Sequence, residues 1–428
     1  MTKKVFILNY GCSANLADSE IMAGLLKQSG FDLAPDAENS DLNIINTCIV
    51  KTPTENRMIF KIKQLTKSGK PLIVAGCMPK TSKSIIEKIN PNASLVGPES
   101  IEKIVYASIA AIRGNKAVLV EDHKKPKACL PRERKNPLIG VIPVSSGCLS
   151  NCSYCSVKLA RGELLSYPIE MIIEEVKRSV EDECKEIYLT SQDNSCYGKD
   201  TGRSLPELLG EVCKVEGIFY IRVGMLNPLY TKEMLDDLVR SYKNPQVFKF
   251  LHLPVQSGSD KILQSMKRGY TSGDFIEIVK KFREEIPRIT ISTDVIVGFP
   301  EETDEDFEST VELIKLARPD IVNISRFGSR TMTEASKMEQ LGRKIVNERS
   351  ILTHKLTKKI ALEINRKWIG CIGKVLVDEK IQGGFVGRNL SYKPVIIKTD
   401  ENIFGKFVNV KIVDATPNCL IGSYKIEE

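Results

Sequence analysis

A regular alternation of short apolar segments and amphipathic segments runs through the centre of the chain, between residues 136 and 333. The apolar segments predicted to be strands are Gly140–Val144, Glu186–Ser191, Phe219–Val223, Val247–Leu253, Ile289–Val297 and Asp320–Ser325. Segments with helical periodicity separate them, for example Pro168–Glu181, Ser204–Val215 and Asp304–Leu316. Strand–helix alternation predicts a parallel sheet. Six repeats are too many for a small flavodoxin-like sheet and too few for an eight-stranded barrel, so we predict an open (β/α)6 barrel.

The residues on either side of this barrel predict two further units. In the first, strands are predicted at Val5–Leu8, Leu42–Ile45 and Leu72–Ala75, and helices at Asn15–Ser29, Pro53–Lys67 and Lys80–Ile89. This pattern indicates a flavodoxin-like parallel α/β domain. Near the other end, Val408, Val410 and Ile412 alternate with polar residues, which predicts a small β-barrel of the kind that binds oligonucleotides, or one that serves only for packing. The predicted domains are 1–122, 136–362 and 365–428.

Composition excludes several classes of protein. With 42% hydrophobic and 27% charged residues, the chain resembles a globular protein rather than a disordered or collagen-like one. Apolar runs fall short of the roughly 18 residues that a membrane helix needs, and the first residues lack the pattern of a signal peptide. We therefore expect a cytoplasmic protein that does not engage a membrane. In that reducing compartment, its 12 cysteines indicate metal binding or catalysis rather than disulfides.

The most specific motif is C-x3-C-x2-C, which follows the first predicted barrel strand and consists of Cys148, Cys152 and Cys155. A structural zinc ion would need a fourth ligand, and no cysteine or histidine follows at finger-like spacing. Three closely spaced thiolates suit three irons of a 4Fe–4S cluster and leave the fourth iron open to a small molecule. Tyr154 is an apolar cover for such a cluster. Zinc, or a coincidental spacing, is the alternative.

Three other cysteines occupy equivalent positions in the first domain. Cys12, Cys48 and Cys77 each follow one of its predicted strands by a few residues. Because the carboxyl ends of parallel strands share one edge of a sheet, these thiols can meet at one point. Helix N-termini just downstream would favour their thiolate forms. Three separate buried cysteines are the alternative.

Positive charge is concentrated in two segments. Residues 123–137 contain six Lys or Arg and one acid, and residues 343–368 contain eight and two, whereas the whole chain has a net charge of +8. Concentrated basic segments indicate a polyanionic partner, with solvated linker and helix faces as the alternative. The side chains expected to contact phosphates are Lys124, Lys125, Lys127, Arg132, Arg134, Lys135, Arg366 and Lys367.

The cysteine motif on a six-stranded partial barrel resembles the radical-SAM superfamily. With three strand-end cysteines in a preceding domain and an OB-like terminal β-barrel of the TRAM type, the chain is identified as a member of the radical-SAM methylthiotransferases. Further signatures of that family are LPVQSGSD from Leu253, MKRGY from Met266 and TDVIVGFPE from Thr293. KLARGELLSY at 158–167 and SQD at 191–193 resemble the archaeal and eukaryotic branch, which acts on N6-threonylcarbamoyladenosine at position 37 of tRNA.

The resemblance implies two 4Fe–4S clusters, with S-adenosylmethionine (SAM) as cofactor. The cluster on the C-x3-C-x2-C cysteines would bind SAM and cleave it to the 5′-deoxyadenosyl radical, which removes the hydrogen from adenine C2. A second cluster, on Cys12, Cys48 and Cys77, would hold the sulfur that is methylated by another SAM and transferred as a methylthio group. Both must face one cavity, so the first domain should pack over the mouth of the barrel. The implied partners are the anticodon loop of tRNA, an electron donor and a sulfur source, and we expect a monomer.

Polar residues near the predicted strand ends are further candidates. Those expected to contact SAM are Tyr154, Ser191, Gln192, Asp193, Arg222 and Gln256. For the polar residues among them, the alternative is a side chain that only satisfies its own loop. The competing functions are methylthiolation of isopentenyl-adenosine or of a ribosomal protein, and a non-catalytic iron–sulfur protein that binds RNA. The positive charge of the terminal barrel argues against a basic ribosomal protein.

Overall fold

The computed structural model describes residues 2–49, 52–121, 125–330 and 332–424. Its strands are β1 Lys4–Asn9, β2 Asp32–Leu33, β3 Leu42–Thr47, β4 Leu72–Gly76, β5 Ser94–Val96, β6 Val118–Leu119, β7 Ile139–Pro143, β8 Ser145–Ser146, β9 Leu165–Ser166, β10 Glu186–Thr190, β11 Tyr220–Val223, β12 Phe250–His252, β13 Thr290–Val297, β14 Ile321–Arg326, β15 Ile372–Ile381, β16 Gly384–Asn389, β17 Pro394–Ile397, β18 Phe407–Ala415 and β19 Leu420–Ser423. Its α-helices are α1 Ser13–Gln28, α2 Thr52–Lys67, α3 Met78–Thr81, α4 Lys83–Ile89, α5 Ile104–Ile112, α6 Val157–Arg161, α7 Ile169–Glu181, α8 Leu205–Val212, α9 Pro228–Glu233, α10 Leu235–Tyr242, α11 Asp260–Ser265, α12 Ser272–Glu285, α13 Asp304–Ala317 and α14 Arg343–Arg366. Within this described part of the chain, every helix is too short or too polar to cross a lipid bilayer.

The N-terminal domain is a parallel sheet with helices on both faces, as predicted. Its strand order is β2-β1-β3-β4-β5-β6. Successive residues of a strand point to opposite faces, so Ile44 packs into a core with α1 and α5, whereas Ile45 packs into one with α2 and α4. Strands β2, β5 and β6 were not predicted, because two or three residues are too few to show a pattern. The helix predicted at 80–89 is divided into α3 and α4 at Ser82, whose φ of −137° and ψ of 32° are not helical.

The central domain is an open six-stranded barrel, as predicted. Strands β7, β10 and β11 form one parallel sheet and β12, β13 and β14 another. A parallel bridge between Ile221 and Val247 joins the two sheets. The strand order is therefore β7-β10-β11-β12-β13-β14. Strands β7 and β14 lie at the two ends of this order and do not pair with each other, so the barrel is open. The strand predicted at 247–253 is shorter than expected, since the continuous strand spans only Phe250–His252 and Val247 forms a single bridge.

The N-terminal domain packs over the carboxyl ends of the barrel strands. Ser13, at the start of α1, lies 2.6 Å from Thr190, the last residue of β10, hydroxyl to hydroxyl. The Ser156 hydroxyl donates to the Ile49 carbonyl oxygen at 3.3 Å. Strands β1 and β3 of the N-terminal domain and β10 of the barrel therefore end near the same interface, which is where parallel α/β folds place their ligands.

The C-terminal domain is a closed five-stranded barrel in the order β15-β16-β17-β19-β18, which confirms the predicted small β-barrel. Helix α14 leads into it and runs to Arg366, so the boundary predicted at 362–365 falls within this helix. A buried network joins the three elements that meet there. Lys393 Nζ donates to Asp320 Oδ1 at 2.7 Å and to Asn365 Oδ1 at 2.8 Å. The terminal barrel is thereby fixed to both α14 and the central domain.

Candidate active site

A cavity of about 730 Å³ lies between the N-terminal domain and the mouth of the central barrel. Its walls include six cysteines, which are Cys12, Cys48, Cys77, Cys148, Cys152 and Cys155. Three belong to the N-terminal domain and three to the barrel, so domain packing brings the two sets to one space. A cavity of this volume is large enough to bind a small-molecule cofactor and a nucleobase.

The three barrel cysteines lie in the loop that follows β8, and the backbone of Gly147 sets the shape of this loop. Gly147 has a φ of +82°, and a Cβ at this position would lie 1.9 Å from the carbonyl oxygen of Glu163. Its N–H donates to Gln192 Oε1 at 2.7 Å. Only glycine combines this positive φ with so close an approach of two backbone segments. The residue before the C-x3-C-x2-C motif is therefore essential to its geometry.

The thiols of Cys152 and Cys155 have different surroundings. Arg268, which is buried, donates from Nη1 to Cys152 Sγ at 2.9 Å and from Nε to the Tyr270 hydroxyl at 3.0 Å. A guanidinium at this distance stabilises negative charge on sulfur. Burial, by contrast, raises the pKa of Cys155 to about 11. Tyr154 packs edge-on against Phe299 with ring centroids 6.3 Å apart, in the apolar part of the same wall.

The N-terminal cysteines follow the ends of three parallel strands. Cys12 directly precedes α1, Cys48 directly follows β3, and Cys77 lies between β4 and α3. The turn before Cys77 requires glycine, because Gly76 has a φ of +86° and a Cβ there would lie 2.4 Å from Asn46 Oδ1. The sheet edge thus positions all three thiols, as the strand-end rule predicts.

The electrostatic environments of Cys12 and Cys77 differ. A hydrogen bond from the Cys48 thiol, together with the positive charge of Arg161, lowers the pKa of Cys12 to about 6. Burial raises the pKa of Cys77, and the same Arg161 opposes that increase. Cys12 is therefore a thiolate at neutral pH, which is the form that ligates metals.

Arg161 comes from the barrel domain but its side chain enters the N-terminal domain. Its Nη2 donates to Asp18 Oδ2 at 2.7 Å and to Asn15 Oδ1 at 3.3 Å. Asp18 also pairs with Lys127 Nζ at 3.0 Å, and burial of the carboxylate is offset by these two cations, which hold its pKa below the usual range. Asp18 lies 143 residues from Arg161 in the sequence, so the local pattern around Arg161 did not indicate this ion pair.

Five of the six residues predicted to contact SAM line the cavity, namely Tyr154, Ser191, Gln192, Asp193 and Gln256. Gln192 holds the cysteine loop through Gly147. Asp193 accepts hydrogen bonds from the Ser195 hydroxyl at 2.5 Å and from the Asn227 N–H at 3.2 Å, and burial raises its pKa.

Arg222 was predicted to contact SAM, and this prediction requires correction. Arg222 lies behind Tyr188, which lines the cavity, and does not line it itself. Its guanidinium lies 4.1 Å from the centre of the Tyr188 ring and donates to the Tyr392 hydroxyl at 3.1 Å. That hydroxyl in turn donates to Glu186 at 2.6 Å. Arg222 therefore links the central barrel to the terminal barrel. The position of Arg222 in β11 made it a candidate, but nothing in the sequence indicated that Tyr392, between β16 and β17, packs against it.

The prediction that the basic segment at residues 123–137 contacts phosphates also requires correction. Lys127, Arg132 and Arg134 form ion pairs inside the protein, with Asp18 at 3.0 Å, Glu175 at 2.6 Å and Asp182 at 2.6 Å. Their side chains are 11% exposed or less, so their charges are not available to phosphates. Lys125, Lys135, Arg366 and Lys367 are exposed. Lys124 lies outside the described residues.

Cys196 lies beside the barrel motif. Its sulfur, that of Cys148 and a carboxylate oxygen of Asp193 all lie within 4.8 Å of one another. The Cys196 thiol donates to the Asp193 carbonyl oxygen at 3.1 Å. A hydrogen bond from Cys196 also lowers the pKa of Cys148.

Several residues of the cavity wall were not predicted from the sequence. His252 Nε2 lies 3.1 Å from Asp294 Oδ1, and Asn323 Nδ2 donates to the same oxygen at 2.8 Å. Arg326 ends β14, and His354 lies on α14. The positions of Arg326 and His252 at the carboxyl ends of barrel strands were a usable signal. His354 had none, because helix α14 reaches the cavity only through tertiary packing.

Comparisons with known proteins agree with this architecture. The "Radical SAM superfamily" model matches residues 142–314, the model described as "Uncharacterized protein family UPF0004" matches residues 4–97, and the "TRAM domain" model matches residues 373–425. Among solved structures, the radical S-adenosylmethionine methyltransferase TsrM from Kitasatospora setae aligns with a TM-score of 0.57 at 15% identity, covering 78% of this chain and 77% of that chain. That likeness concerns the fold alone.

Relatives match over almost the whole of this chain. A "Probable threonylcarbamoyladenosine tRNA methylthiotransferase" from Pyrococcus horikoshii is 43% identical over 423 residues, which cover 98% of this chain and 99% of that protein. The "Threonylcarbamoyladenosine tRNA methylthiotransferase" of Drosophila melanogaster is 38% identical over 439 residues, which cover 100% of this chain and 78% of that protein. With all three domains and both cysteine sets present, this chain belongs to the threonylcarbamoyladenosine tRNA methylthiotransferase family.

Proposed function

We propose that this protein is an enzyme that converts N6-threonylcarbamoyladenosine at position 37 of tRNA to its 2-methylthio derivative. SAM serves both as methyl donor and as the source of the 5′-deoxyadenosyl radical. One observation carries the proposal: two sets of three cysteines, from two domains, line the same cavity. A reaction that combines hydrogen removal with sulfur transfer at one carbon needs both functions at one position. Full-length similarity to relatives named for this substrate supports its identity.

The cysteine sets fit iron–sulfur clusters. Each set offers three thiols and leaves one iron of a 4Fe–4S cluster free for another ligand. Arg268 beside Cys152 and Arg161 beside Cys77 complement the negative charge of cluster-bound sulfur. The radical-SAM match implies a cluster and SAM at the barrel motif, and we infer that the N-terminal thiols hold a second cluster. When bound, these groups supply one-electron reduction of SAM and sulfur for transfer.

The reaction requires this chemistry because the C2–H bond of adenine is not acidic, so general acid–base catalysis cannot act on it. The protein contributes position and exclusion of water. Gln192 and Gly147 hold the barrel loop, and the residues around Asp193 form the wall where SAM would bind. The N-terminal domain covers the mouth of the barrel, which keeps reactive species away from bulk water.

We infer that exposed cations guide the tRNA to this cavity. Lys125 and Lys135 belong to the linker between the first two domains, and Arg366 and Lys367 lie at the end of α14, next to the terminal barrel. Contacts of this kind supply affinity through phosphates without recognising sequence. A single-stranded anticodon loop suits the site, because an unpaired base can be turned out of its stack into the cavity.

The direct test uses anaerobically reconstituted protein with dithionite, SAM and tRNA that carries N6-threonylcarbamoyladenosine. Nucleosides from the digested tRNA are then analysed by liquid chromatography–mass spectrometry. The expected product is heavier by one methylthio group in place of one hydrogen. Formation of 5′-deoxyadenosine without this product would refute the substrate, and product from isopentenyl-adenosine tRNA alone would select that alternative. Intact clusters that yield neither compound would indicate a non-catalytic RNA-binding protein.

Two cysteine variants separate the proposed roles. Cys148→Ala should abolish formation of 5′-deoxyadenosine, whereas Cys12→Ala should retain it but produce no methylthio nucleoside. Cys371→Ala is the matched control, because this thiol precedes β15 in the terminal barrel and does not line the cavity. Full product from Cys12→Ala would contradict the role assigned to the N-terminal set.

A further inference from the structure

Helix α14 and the end of β14 form a polar part of the cavity wall. Arg326, Ser350 and His354 all line the cavity. Asn347, Ser350 and His354 are spaced by three and four residues, so they lie on one face of α14. Asn347 Oδ1 accepts a hydrogen bond from Arg326 Nη1 at 2.5 Å, which orients the guanidinium beside the cavity.

Arg326 differs from the other cations of this cavity in the groups that it contacts. The lysine and arginine side chains of the wall are Lys158, Arg161, Arg268, Arg326 and Arg330. Three of them form ion pairs, namely Lys158–Glu163, Arg161–Asp18 and Arg330–Glu55. Arg268 donates to Cys152 Sγ. Within residues 2–49, 52–121, 125–330 and 332–424, Arg326 is the one member of this set that contacts neither a carboxylate nor a sulfur atom, so its charge is available to a ligand.

We propose that Arg326 binds the carboxylate of the threonyl group of the substrate, with Ser350 and His354 beside it as hydrogen-bonding groups. The inference rests on the proposed function. In N6-threonylcarbamoyladenosine the amino nitrogen of threonine is joined to the base through a carbonyl group, so the carboxylate and hydroxyl remain free. The carboxylate is ionised at neutral pH. A guanidinium matches its planar geometry with two parallel hydrogen bonds.

The position of Arg326 suits the shape of the substrate. Carbon C2, which reacts, must face the cysteines, whereas the substituent is attached at C6, on the other side of N1. The threonyl group therefore extends away from the reacting carbon, toward wall residues that do not belong to the cysteine loops. Arg326 and α14 supply such residues. An isopentenyl group carries no charge and offers the guanidinium no ionic partner, so it would gain nothing from Arg326, and the site would favour the charged substrate.

The test compares two synthetic anticodon stem-loops, one with N6-threonylcarbamoyladenosine and one with its threonine carboxylate replaced by a carboxamide. Wild-type protein, Arg326→Gln and Arg326→Lys are measured for kcat/KM of methylthiolation and, without reductant, for stem-loop affinity by fluorescence anisotropy. Arg240→Gln is the matched control, because this exposed arginine pairs with Asp237 on α10, outside the cavity.

Wild-type protein and Arg240→Gln should prefer the carboxylate by roughly tenfold or more, the effect of a charge-assisted hydrogen bond. Arg326→Gln should lose this preference by reacting poorly with the carboxylate and nearly normally with the amide, and Arg326→Lys should retain part of it. An equal loss on both stem-loops would overturn the inference in favour of a phosphate contact, and an unchanged preference would also overturn it. If wild-type protein forms 5′-deoxyadenosine but methylthiolates neither stem-loop, the proposed function itself fails.

Discussion

The guanidinium of Arg161 lies 2.7 Å from a carboxylate oxygen of Asp18, across the interface between the barrel and N-terminal domains. Both side chains are less than 5% exposed, and Lys127 contacts the other oxygen of Asp18 at 3.0 Å. Arg161 ends the short helix that follows Cys155, whereas Asp18 is in the helix that follows Cys12. This ion pair therefore sets the relative position of the two cysteine sets.

Removal of the Arg161 charge should weaken the domain interface. In Arg161→Gln, the buried Asp18 keeps only Lys127 as a cationic partner, and breaking a buried pair typically costs about 3 kcal/mol. We expect a lower urea midpoint, measured anaerobically by fluorescence. Arg178→Gln, which removes an exposed pair with Glu174, should leave the midpoint unchanged. Equal midpoints for wild-type protein and Arg161→Gln would show that the interface does not depend on this pair.

Cys12 should titrate in the acidic range in protein freed of iron. Its pKa of about 6 predicts that its rate of alkylation by iodoacetamide is half-maximal near pH 6, rather than near about 8.5 as for an ordinary thiol. Because the folded-state pKa is lowered, the thiolate stabilises the fold fully above the unfolded pKa, and this contribution is lost as the pH falls through 6. Peptide mass spectrometry gives the rate for Cys12 alone. The midpoint should rise in Arg161→Gln, and a wild-type midpoint above pH 8 would contradict the assigned environment.

Gly147→Ala should disrupt the barrel cysteine loop without affecting the N-terminal one. The new Cβ would meet the Glu163 carbonyl oxygen at 1.9 Å, in a backbone conformation that alanine rarely adopts. With clusters in both sites, iron bound after reconstitution should fall to about half, and 5′-deoxyadenosine should disappear. Gly210→Ala is the control, since this glycine lies in α8 and a Cβ there meets nothing within 4 Å. Normal iron content in Gly147→Ala would refute the constraint.

Lysines of the two basic segments should have different roles. Lys367→Ala should weaken tRNA binding and reduce the slope of log K against log salt by about 0.7 to 0.9, because it removes one phosphate contact. Lys127→Ala should leave this slope unchanged but lower the urea midpoint, because Lys127 pairs with Asp18 inside the protein. Filter binding at several salt concentrations measures the slope. A change of slope in Lys127→Ala would contradict its internal role.

The sequence by itself was sufficient for the architecture and for the six cysteines. Strand and helix periodicity is local, and parallel strands end at a common edge, so Cys12, Cys48 and Cys77 could be placed together from their strand-end positions alone. The barrel motif needed only the spacing of residues within one loop. Short strands such as β5 and the break in helical structure at Ser82 escaped prediction because a few residues do not establish a period.

Tertiary structure decided which charges are free. Lys127 and Arg132 belong to a segment with an excess of positive charge, yet each faces a carboxylate from a distant helix. Arg326, in contrast, lies at the edge of the cavity and pairs with no carboxylate of the part of the chain that the structure describes. A charge pattern along the chain cannot distinguish these cases, because the energy of an ion depends on burial and on neighbours brought close only by packing. The sequence therefore determined the chemistry available to this protein, and the fold decided which side chains remain free to bind the substrate.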